Sequence, residues 1–147
     1  MATATAVLAG PAGVGGPVEG EALVSTQGFN ARYDLDRTRG VFSRPAHDLY
    51  GQSCAGKIVV FATAKGGIAT SWALLDLKAR GLAPAALIFR ETNPVMVQGA
   101  VLADIPLVHR LDPDPVTTIR TGDWVRVVPE AGRVEILRRD GARGKTW

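Results

Sequence analysis

The chain has 147 residues, of which 46% are hydrophobic and 6% aromatic, and its formal net charge is +3. This length favours a single domain, and the hydrophobic content is enough to bury a core, which excludes a wholly disordered chain. The last ten residues contain four basic residues and one acidic residue, so they account for the whole positive excess. A nucleic-acid-binding protein is expected to be basic on its folded body, so we expect a solvated tail and no nucleic-acid partner.

Cys54 is the single cysteine. One thiol can form no internal disulfide and cannot by itself hold a structural zinc ion or an iron–sulfur cluster, so we expect no metal in this chain and a reducing, cytoplasmic location. Residues 1–20 lack a basic start and a continuous apolar segment, and no apolar run reaches the ~18 residues that span a bilayer, so we expect no signal peptide and no membrane contact. We expect a flexible lead-in over 1–20, a folded domain over 21–137 and a basic flexible tail over 138–147.

The predicted elements follow one another in a clear order. They are a strand within 21–30 that ends at Gly28, two short extended pieces in 31–44, a loop over 45–56, a strand over 57–63, a helix over 68–80, a strand over 84–90, a helix over 93–104, a strand over 106–111, a loop over 112–122 and a hairpin over 123–137. This order predicts an α/β fold with a central βαβαβ segment and a C-terminal hairpin.

Both helices have recognisable ends. In the first, Ile68, Trp72 and Leu75 fall on one face at spacings of three and four, and Gly81 follows as a C-terminal cap. In the second, Asn93 is placed as N-cap, with a proline at the first helical position.

The segment "GQSCAGKI" (51–58) fits part of a phosphate-binding P-loop. A P-loop requires Ser or Thr where this chain has Ile58, and it follows a strand and opens a helix. Here the segment precedes a strand, which favours a simple turn.

The segment "AKGGIATS" (64–71) has the order of strand, turn and helix that the segment 51–58 lacks, because it joins a buried strand to a helix. The first turn of a helix attracts anions through its unpaired N–H groups, and Gly66 and Gly67 leave the backbone accessible. Lys65 adds a positive charge, while Thr70 and Ser71 add hydroxyls. The alternative is that the two glycines only turn the chain and that Thr70 or Ser71 caps the helix.

Phe29, Asn30 and His47 are further candidates, since a β-rich start followed by a loop could bring them to the Lys65 turn. A histidine in a loop is, alternatively, simply solvated. His109 has no evident partner in its strand pattern. No G-x-S-x-G elbow supports Ser/His/Asp catalysis.

"GQSCAGKIVVFATAKGGIATSWALLDLKARGLAPAALIF", followed by "NPVMVQGAVLADIPLV", resembles the small subunit of aconitase X, a divergent branch of the aconitase superfamily. The resemblance extends from about Gly28 to Leu137 and is densest between His47 and Pro106. It implies the aconitase-type swivelling β/β/α domain. It also implies a large-subunit partner that holds an iron or iron–sulfur site, with no cofactor in this chain.

Enzymes of this kind remove water from a small hydroxylated acid, such as cis-3-hydroxy-L-proline or a phosphorylated mevalonate. The resemblance therefore implies a hydro-lyase subunit that closes over the large subunit's active site and is inactive alone. Lys65, Gly66, Gly67 and the first helical turn would bind the substrate carboxylate, and Lys65 would also act in catalysis by stabilising an anionic substrate or enolate-like intermediate. Ser71, with Thr70 as second choice, would be the polar group nearest the chemistry. Phe29, Asn30 and His47 would line the mouth of the domain.

One departure from the family pattern falls in this turn. The family usually has Lys or Arg, then Gly, then a serine, with a second serine four residues further on; Gly67 occupies the first serine position here, and Ser71 matches the second. In the aconitase superfamily a serine in this turn acts in proton abstraction. Three outcomes are open: Ser71 or Thr70 substitutes, the large subunit supplies the base, or the substrate differs. A non-catalytic anion-binding or regulatory module with the same fold is the alternative.

Overall fold

The structure, a computed structural model, describes residues 4–138 and forms nine strands, three α-helices and one 3₁₀ turn within that range. The strands are β1 Ala6–Ala9, β2 Val18–Val24, β3 Leu35–Asp36, β4 Val41–Phe42, β5 Ile58–Thr63, β6 Ala86–Glu91, β7 Leu107–His109, β8 Trp124–Val128 and β9 Arg133–Arg138. The helices are α1 Ile68–Ala79, α2 Pro94–Ala103 and α3 Pro115–Thr118, and the 3₁₀ turn is Pro129–Ala131.

Seven strands form one mixed sheet in the order β1-β9-β8-β2-β5-β6-β7, and β3 pairs with β4 separately. Strand β2 is antiparallel to β8 and parallel to β5, and the pairs β5–β6 and β6–β7 are parallel. Backbone hydrogen bonds join Ala9 to Asp112 (3.0 and 2.8 Å) and Val14 to Leu107 (2.9 Å each). These bonds connect the two edges of the sheet, which therefore closes into a barrel.

Two hydrophobic cores follow from the alternation of side chains along each strand. In β5, Ile58 and Val60 belong to the cluster inside the barrel, whereas Val59 and Phe61 belong to the cluster under the helices. All four side chains are at most 1% exposed. The prediction that this strand is buried is confirmed; it is buried on both faces, as is typical of parallel strands in α/β proteins.

The expected α/β fold is confirmed. The segment β5-α1-β6-α2-β7 is the predicted βαβαβ unit, and β8 and β9 form the predicted antiparallel hairpin. Asn93 caps α2 by accepting a hydrogen bond from the Met96 N–H at 2.8 Å, with Pro94 at the first position. Gly81 follows α1 with a φ of +74°, as its place after the helix predicts.

The exposed face of α1 is the reverse of what its sequence spacing suggests. Ile68 and Trp72 are 71% and 63% exposed. The helix packs instead through Ala73, Leu74 and Leu77, which are 0% exposed. Both sets recur at helical spacing, because apolar residues occupy most of the circumference of this helix. The spacing therefore identifies the helix but not the face that packs.

The prediction of a flexible lead-in over 1–20 is wrong for the described part of that segment. Residues 6–9 form β1, which pairs with β9, and β2 begins at Val18. The small residues between them allow this approach: a side chain on Gly13 would collide with the carbonyl oxygen of Leu107. The expected basic tail over 138–147 lies outside the described residues except for Arg138, which ends β9.

The strand expected within 21–30 also begins and ends earlier than predicted. β2 ends at Val24. The Ser25 N–H still donates to the Val60 carbonyl of β5 at 2.8 Å, but the Thr26 N–H donates to the Asp48 carboxylate at 2.9 Å instead of to a strand. The chain returns to the sheet at Phe29, which bridges to Ala64.

Candidate functional site

The segment between β5 and α1 forms an exposed turn at the carboxyl ends of the parallel strands. Gly66 has a φ of +94°, a conformation that L-residues rarely adopt. A side chain at this position would also collide with the Thr70 hydroxyl and lie 2.8 Å from the Asn30 amide nitrogen. Glycine is therefore required at 66, both for the backbone conformation and for the space.

The first turn of α1 is open to solvent. Gly67 is the N-cap residue. Among the described residues no side chain caps the helix, and a Cβ at Gly67 would have nothing within 4 Å. The Thr70 N–H donates to the Gly67 carbonyl at 2.9 Å. Within residues 4–138, the N–H groups of Ile68 and Ala69 donate no hydrogen bond. Two backbone donors and the positive end of the helix dipole are thus available to an anion.

Lys65 lies at the entrance to this turn and is exposed. Its N–H donates to the Phe29 carbonyl at 2.8 Å, which fixes its backbone. Its methylene groups cross Gly28, where a Cβ would lie 2.6 Å from the Lys65 Cε atom. In the described part of the chain the ammonium group has no salt-bridge partner, so its charge is available to a ligand.

Asn30 and Thr70 lie behind the turn and hold its shape. The Asn30 Oδ1 atom accepts hydrogen bonds from the Arg32 N–H at 3.0 Å and from the Thr70 hydroxyl at 3.3 Å. The Asn30 N–H donates to the buried Asp34 carboxylate at 2.8 Å. Thr70 is 1% exposed, so its hydroxyl positions the turn and does not open to solvent.

Phe29 and His47 converge on the turn, as expected, but from inside the core. Phe29 is 1% exposed and stacks on Phe61 with ring centroids 4.4 Å apart. His47 is 2% exposed; its Nε2–H donates to the Gly28 carbonyl at 2.9 Å, and its Nδ1 accepts from the Leu49 N–H at 3.1 Å. The prediction that these two side chains line the mouth is wrong, because both are buried behind the residues that form it.

Ser71 lies on the packed side of α1. It is 6% exposed, and its hydroxyl donates to the Val95 carbonyl at 2.9 Å. Its neighbour across the helix contact is Gly99, where a Cβ would lie 2.8 Å from the Ser71 Cα. The hydroxyl therefore points to α2 and away from the open turn.

A hollow of about 460 Å³ adjoins the turn and was missed by reasoning from sequence. It lies where β6 and β7 end, and its polar lining includes Glu91, Asn93 and His109. Asn93 connects it to the turn, since its amide nitrogen donates to the Ala64 carbonyl at 3.4 Å. The sequence did contain a signal for this site. Ligands of α/β proteins with parallel strands, open or closed into a barrel, bind beyond the carboxyl ends of those strands, and Glu91 and His109 end β6 and β7.

The charges in this hollow are largely paired. Arg110 donates to the Glu91 carboxylate at 2.8 and 3.0 Å. This hydrogen-bonded pair lowers the pKa of Glu91, so the carboxylate is ionised and is not a proton donor near neutral pH. The hollow thus supplies polar contacts without a strong excess of charge, in contrast to the free Lys65 ammonium.

Three further observations concern the segment 51–58, metal binding and membrane-spanning helices. The segment 51–58 forms a turn that leads into β5 rather than a helix, as its failure to fit a P-loop predicts. Between residues 4 and 138 there is no group of three or more His, Cys, Asp or Glu side chains that could hold a metal ion. None of the helices in that range has both the length and the apolar composition needed to cross a bilayer.

Comparisons with known proteins agree with this geometry. The aconitase X swivel domain family model matches residues 7–136. The phosphomevalonate dehydratase small subunit of Methanococcoides burtonii is 39% identical over 124 residues, 84% of this chain and 90% of that relative. The corresponding subunit of Thermococcus kodakarensis is also 39% identical over 124 residues, 84% of this chain and 91% of that relative.

A solved structure matches the fold as a whole. The crystal structure of Thermococcus kodakaraensis aconitase X in its holo-form superposes with a TM-score of 0.85 at 38% identity and covers 90% of this chain and 99% of that one. The residues matched by the family model, 7–136, include both long helices and the Lys65 turn. This chain belongs to the aconitase X swivel domain family, as its resemblance to that family predicts.

Proposed function

We propose that this chain is the small, swivel subunit of an aconitase-X-type dehydratase and that the assembled enzyme removes water from phosphomevalonate. The observation that carries the proposal is the open turn at 65–69, whose ammonium group and two N–H groups have no partner among residues 4–138. The relatives of this chain are named phosphomevalonate dehydratase small subunits. Those relatives favour phosphomevalonate over cis-3-hydroxy-L-proline as the substrate.

The chemistry of the reaction explains why such a turn is useful. Phosphomevalonate has a carboxylate at one end, a phosphate at the other, and a hydroxyl on the carbon β to the carboxylate. Loss of water breaks the bond to that hydroxyl and removes a proton from the carbon between the two groups, which leaves a C=C double bond. Negative charge builds up on the carboxylate oxygens as the proton leaves.

The groups of this chain that suit that charge are the Lys65 ammonium and the N–H groups of Ile68 and Ala69. Donors that are fixed before the reaction stabilise developing charge without reorganising, and one such donor typically contributes about 3 kcal/mol. Gly66 and Gly67 allow the carboxylate to approach the backbone. The role of the turn is to bind the substrate and stabilise the intermediate.

The geometry favours a large-subunit base over a hydroxyl of this chain. Ser71 is hydrogen-bonded to α2 and Thr70 is buried behind the turn, so neither hydroxyl faces the opening. The iron or iron–sulfur cluster expected from the family resemblance would likewise belong to the large subunit. A non-catalytic anion-binding module is the competing function, and the absence of a side chain at Gly67 is the observation in its favour.

The test is to co-express the chain with the large subunit from the same genome, purify the complex and follow water loss from phosphomevalonate by mass spectrometry. Lys65→Ala should lower kcat/KM by about 100-fold, the magnitude typical of removing one charge-stabilising group. Lys57→Ala, at the opposite end of β5, is the matched control and should retain the rate. A complex that binds phosphomevalonate without dehydrating it would support the anion-binding module instead.

The Gly67→Ser variant restores the serine that the family usually has at this position and tests whether its hydroxyl takes part in catalysis. A serine fits, because a Cβ at this position has nothing within 4 Å. If the large subunit supplies the base, the variant should dehydrate the substrate at about the rate of the unmodified complex. A large gain in kcat would mean that a hydroxyl at 67 takes part in the chemistry and that its absence limits this enzyme.

A further inference from the structure

The outer face of α1 and α2 has an uncharged apolar surface beside the substrate turn. Trp72 is 63%, Ile68 71% and Leu102 60% exposed, although all three are large hydrophobic residues. They surround a groove of about 110 Å³ between the two helices. The groove is lined by Ile68, Ser71, Trp72, Leu75, Gln98 and Leu102, none of which is charged.

We propose that this surface, hereafter the α1–α2 groove, is where the large subunit docks. The inference rests on the proposed function, because it assigns the partner of that same site. Ile68 is both the first residue of α1 and part of the groove, so the groove continues directly from the turn. A large subunit that presents a substrate to Lys65 and Gly67 must lie against the residues that follow them.

The composition of the groove fits a protein partner. The buried centres of protein interfaces are depleted in charged residues and enriched in aromatic anchors, and tryptophan is among the side chains that most often dominate binding. Three large hydrophobic residues of the groove, Ile68, Trp72 and Leu102, are each at least 60% exposed, and they come from two helices that pack on each other. A rigid helix pair that presents one tryptophan at its centre can bind a preformed apolar pocket with little ordering cost.

Val101 provides a matched control for the groove. It is 56% exposed on the same helix as Leu102, but it lines a separate hollow beside Gly15. Adjacent helical positions point about 100° apart, so Leu102→Glu introduces a charge into the groove while Val101→Glu introduces the same charge beside it. Trp72→Ala removes the anchor without adding charge.

The experiment measures the Kd between the chain and the large subunit from the same genome by titration calorimetry, with circular dichroism to verify that each variant folds. Trp72→Ala and Leu102→Glu should each weaken binding roughly 30-fold or more, which corresponds to about 2 kcal/mol at 1.4 kcal/mol per tenfold. Val101→Glu should stay within about threefold of the unmodified chain. These results together would support the docking site.

The other outcomes separate this inference from the proposed function. If the unmodified chain binds the large subunit and all three variants bind equally well, the groove is not the docking site, while the proposed function stands. If the unmodified chain does not bind the large subunit at all, both fail. If the isolated chain forms dimers that Trp72→Ala and Leu102→Glu dissociate, the groove is covered by a second copy and the inference is overturned.

Discussion

The two adjacent glycines of the substrate turn should respond oppositely to the same substitution. Gly66→Ala places a Cβ on a backbone with a φ of +94°, against the Thr70 hydroxyl and the Asn30 amide. Gly67→Ala places a Cβ in open space at a φ of −111°, which any L-residue can adopt. The pair therefore compares a position that requires glycine with a neighbour that only happens to be glycine.

The expected difference follows from two contributions. A left-handed backbone costs a residue with a Cβ roughly 1–2 kcal/mol, and forcing a methyl group into filled space costs about 1–3 kcal/mol. Gly66→Ala should accordingly lower the free energy of unfolding by about 2–5 kcal/mol. Gly67→Ala should be neutral or raise it by up to about 1 kcal/mol, because alanine restricts the unfolded chain more than glycine does.

Urea denaturation followed by circular dichroism measures both values. A double-mutant cycle with Thr70→Ala separates the two contributions at Gly66, since it removes the hydroxyl that the new methyl group meets and leaves the backbone strain in place. The combined variant should lose less stability than the sum of the two single variants. Equal losses for Gly66→Ala and Gly67→Ala would refute the conformation assigned to this turn.

Three further predictions concern the surroundings of the site. Burial raises the pKa of Cys54 to about 11. The native thiol should therefore react with iodoacetamide at pH 8 far more slowly than a free cysteine does. A rapid reaction would mean that the loop around Cys54 opens. Burial of the Asp48 carboxyl opposes its ionisation, but hydrogen bonds from Ser25 and the following residue outweigh this and lower its pKa. The contribution of the ionised Asp48 carboxylate to the free energy of unfolding should therefore be complete above the unfolded pKa of about 3.9 and should disappear as the pH falls through the lower folded pKa. In urea titrations, Asp48→Asn should lower the free energy of unfolding by about 1 kcal/mol at pH 6 and by almost nothing at pH 2.5. Gly99→Ala places a Cβ 2.8 Å from the Ser71 Cα, so it should force α1 and α2 apart and lower the free energy of unfolding by about 1–3 kcal/mol, whereas an unchanged urea midpoint would contradict the close packing of these helices.

The order of elements could be predicted from the sequence because local signals specify it. The buried run in β5, the Asn93 cap and the alternation in β8 and β9 each depend on neighbours within a few residues. The Lys65 turn could be predicted for the same reason, since a strand, two glycines and a helix adjoin one another in the chain.

The remaining features depend on contacts between distant parts of the chain. Nothing near Ala6 indicates that it pairs with Ile136, so a glycine-rich segment looked flexible although it closes the barrel. His47 could be associated with the turn, but its burial depends on Phe42, which stacks on its ring with centroids 5.0 Å apart. Ser71 was predicted to act in catalysis because of its position in the sequence. The direction of its hydroxyl depends on the packing of α2 against α1, which the local sequence does not indicate.

The closure of the barrel also affects how this chain folds. The Thr5 hydroxyl donates to the Ile136 carbonyl at 2.8 Å across 131 residues of sequence. Contacts so distant in sequence carry a large loop-closure cost and are typical of slow-folding proteins. Until β1 and residues 9–14 are in place, β7 presents an unpaired strand edge, and such edges promote association between chains. We therefore expect refolding to be slow and its yield to fall as the protein concentration rises, because the segment that protects β7 is held by the pairing of β1 with β9, strands that lie near opposite ends of the described residues.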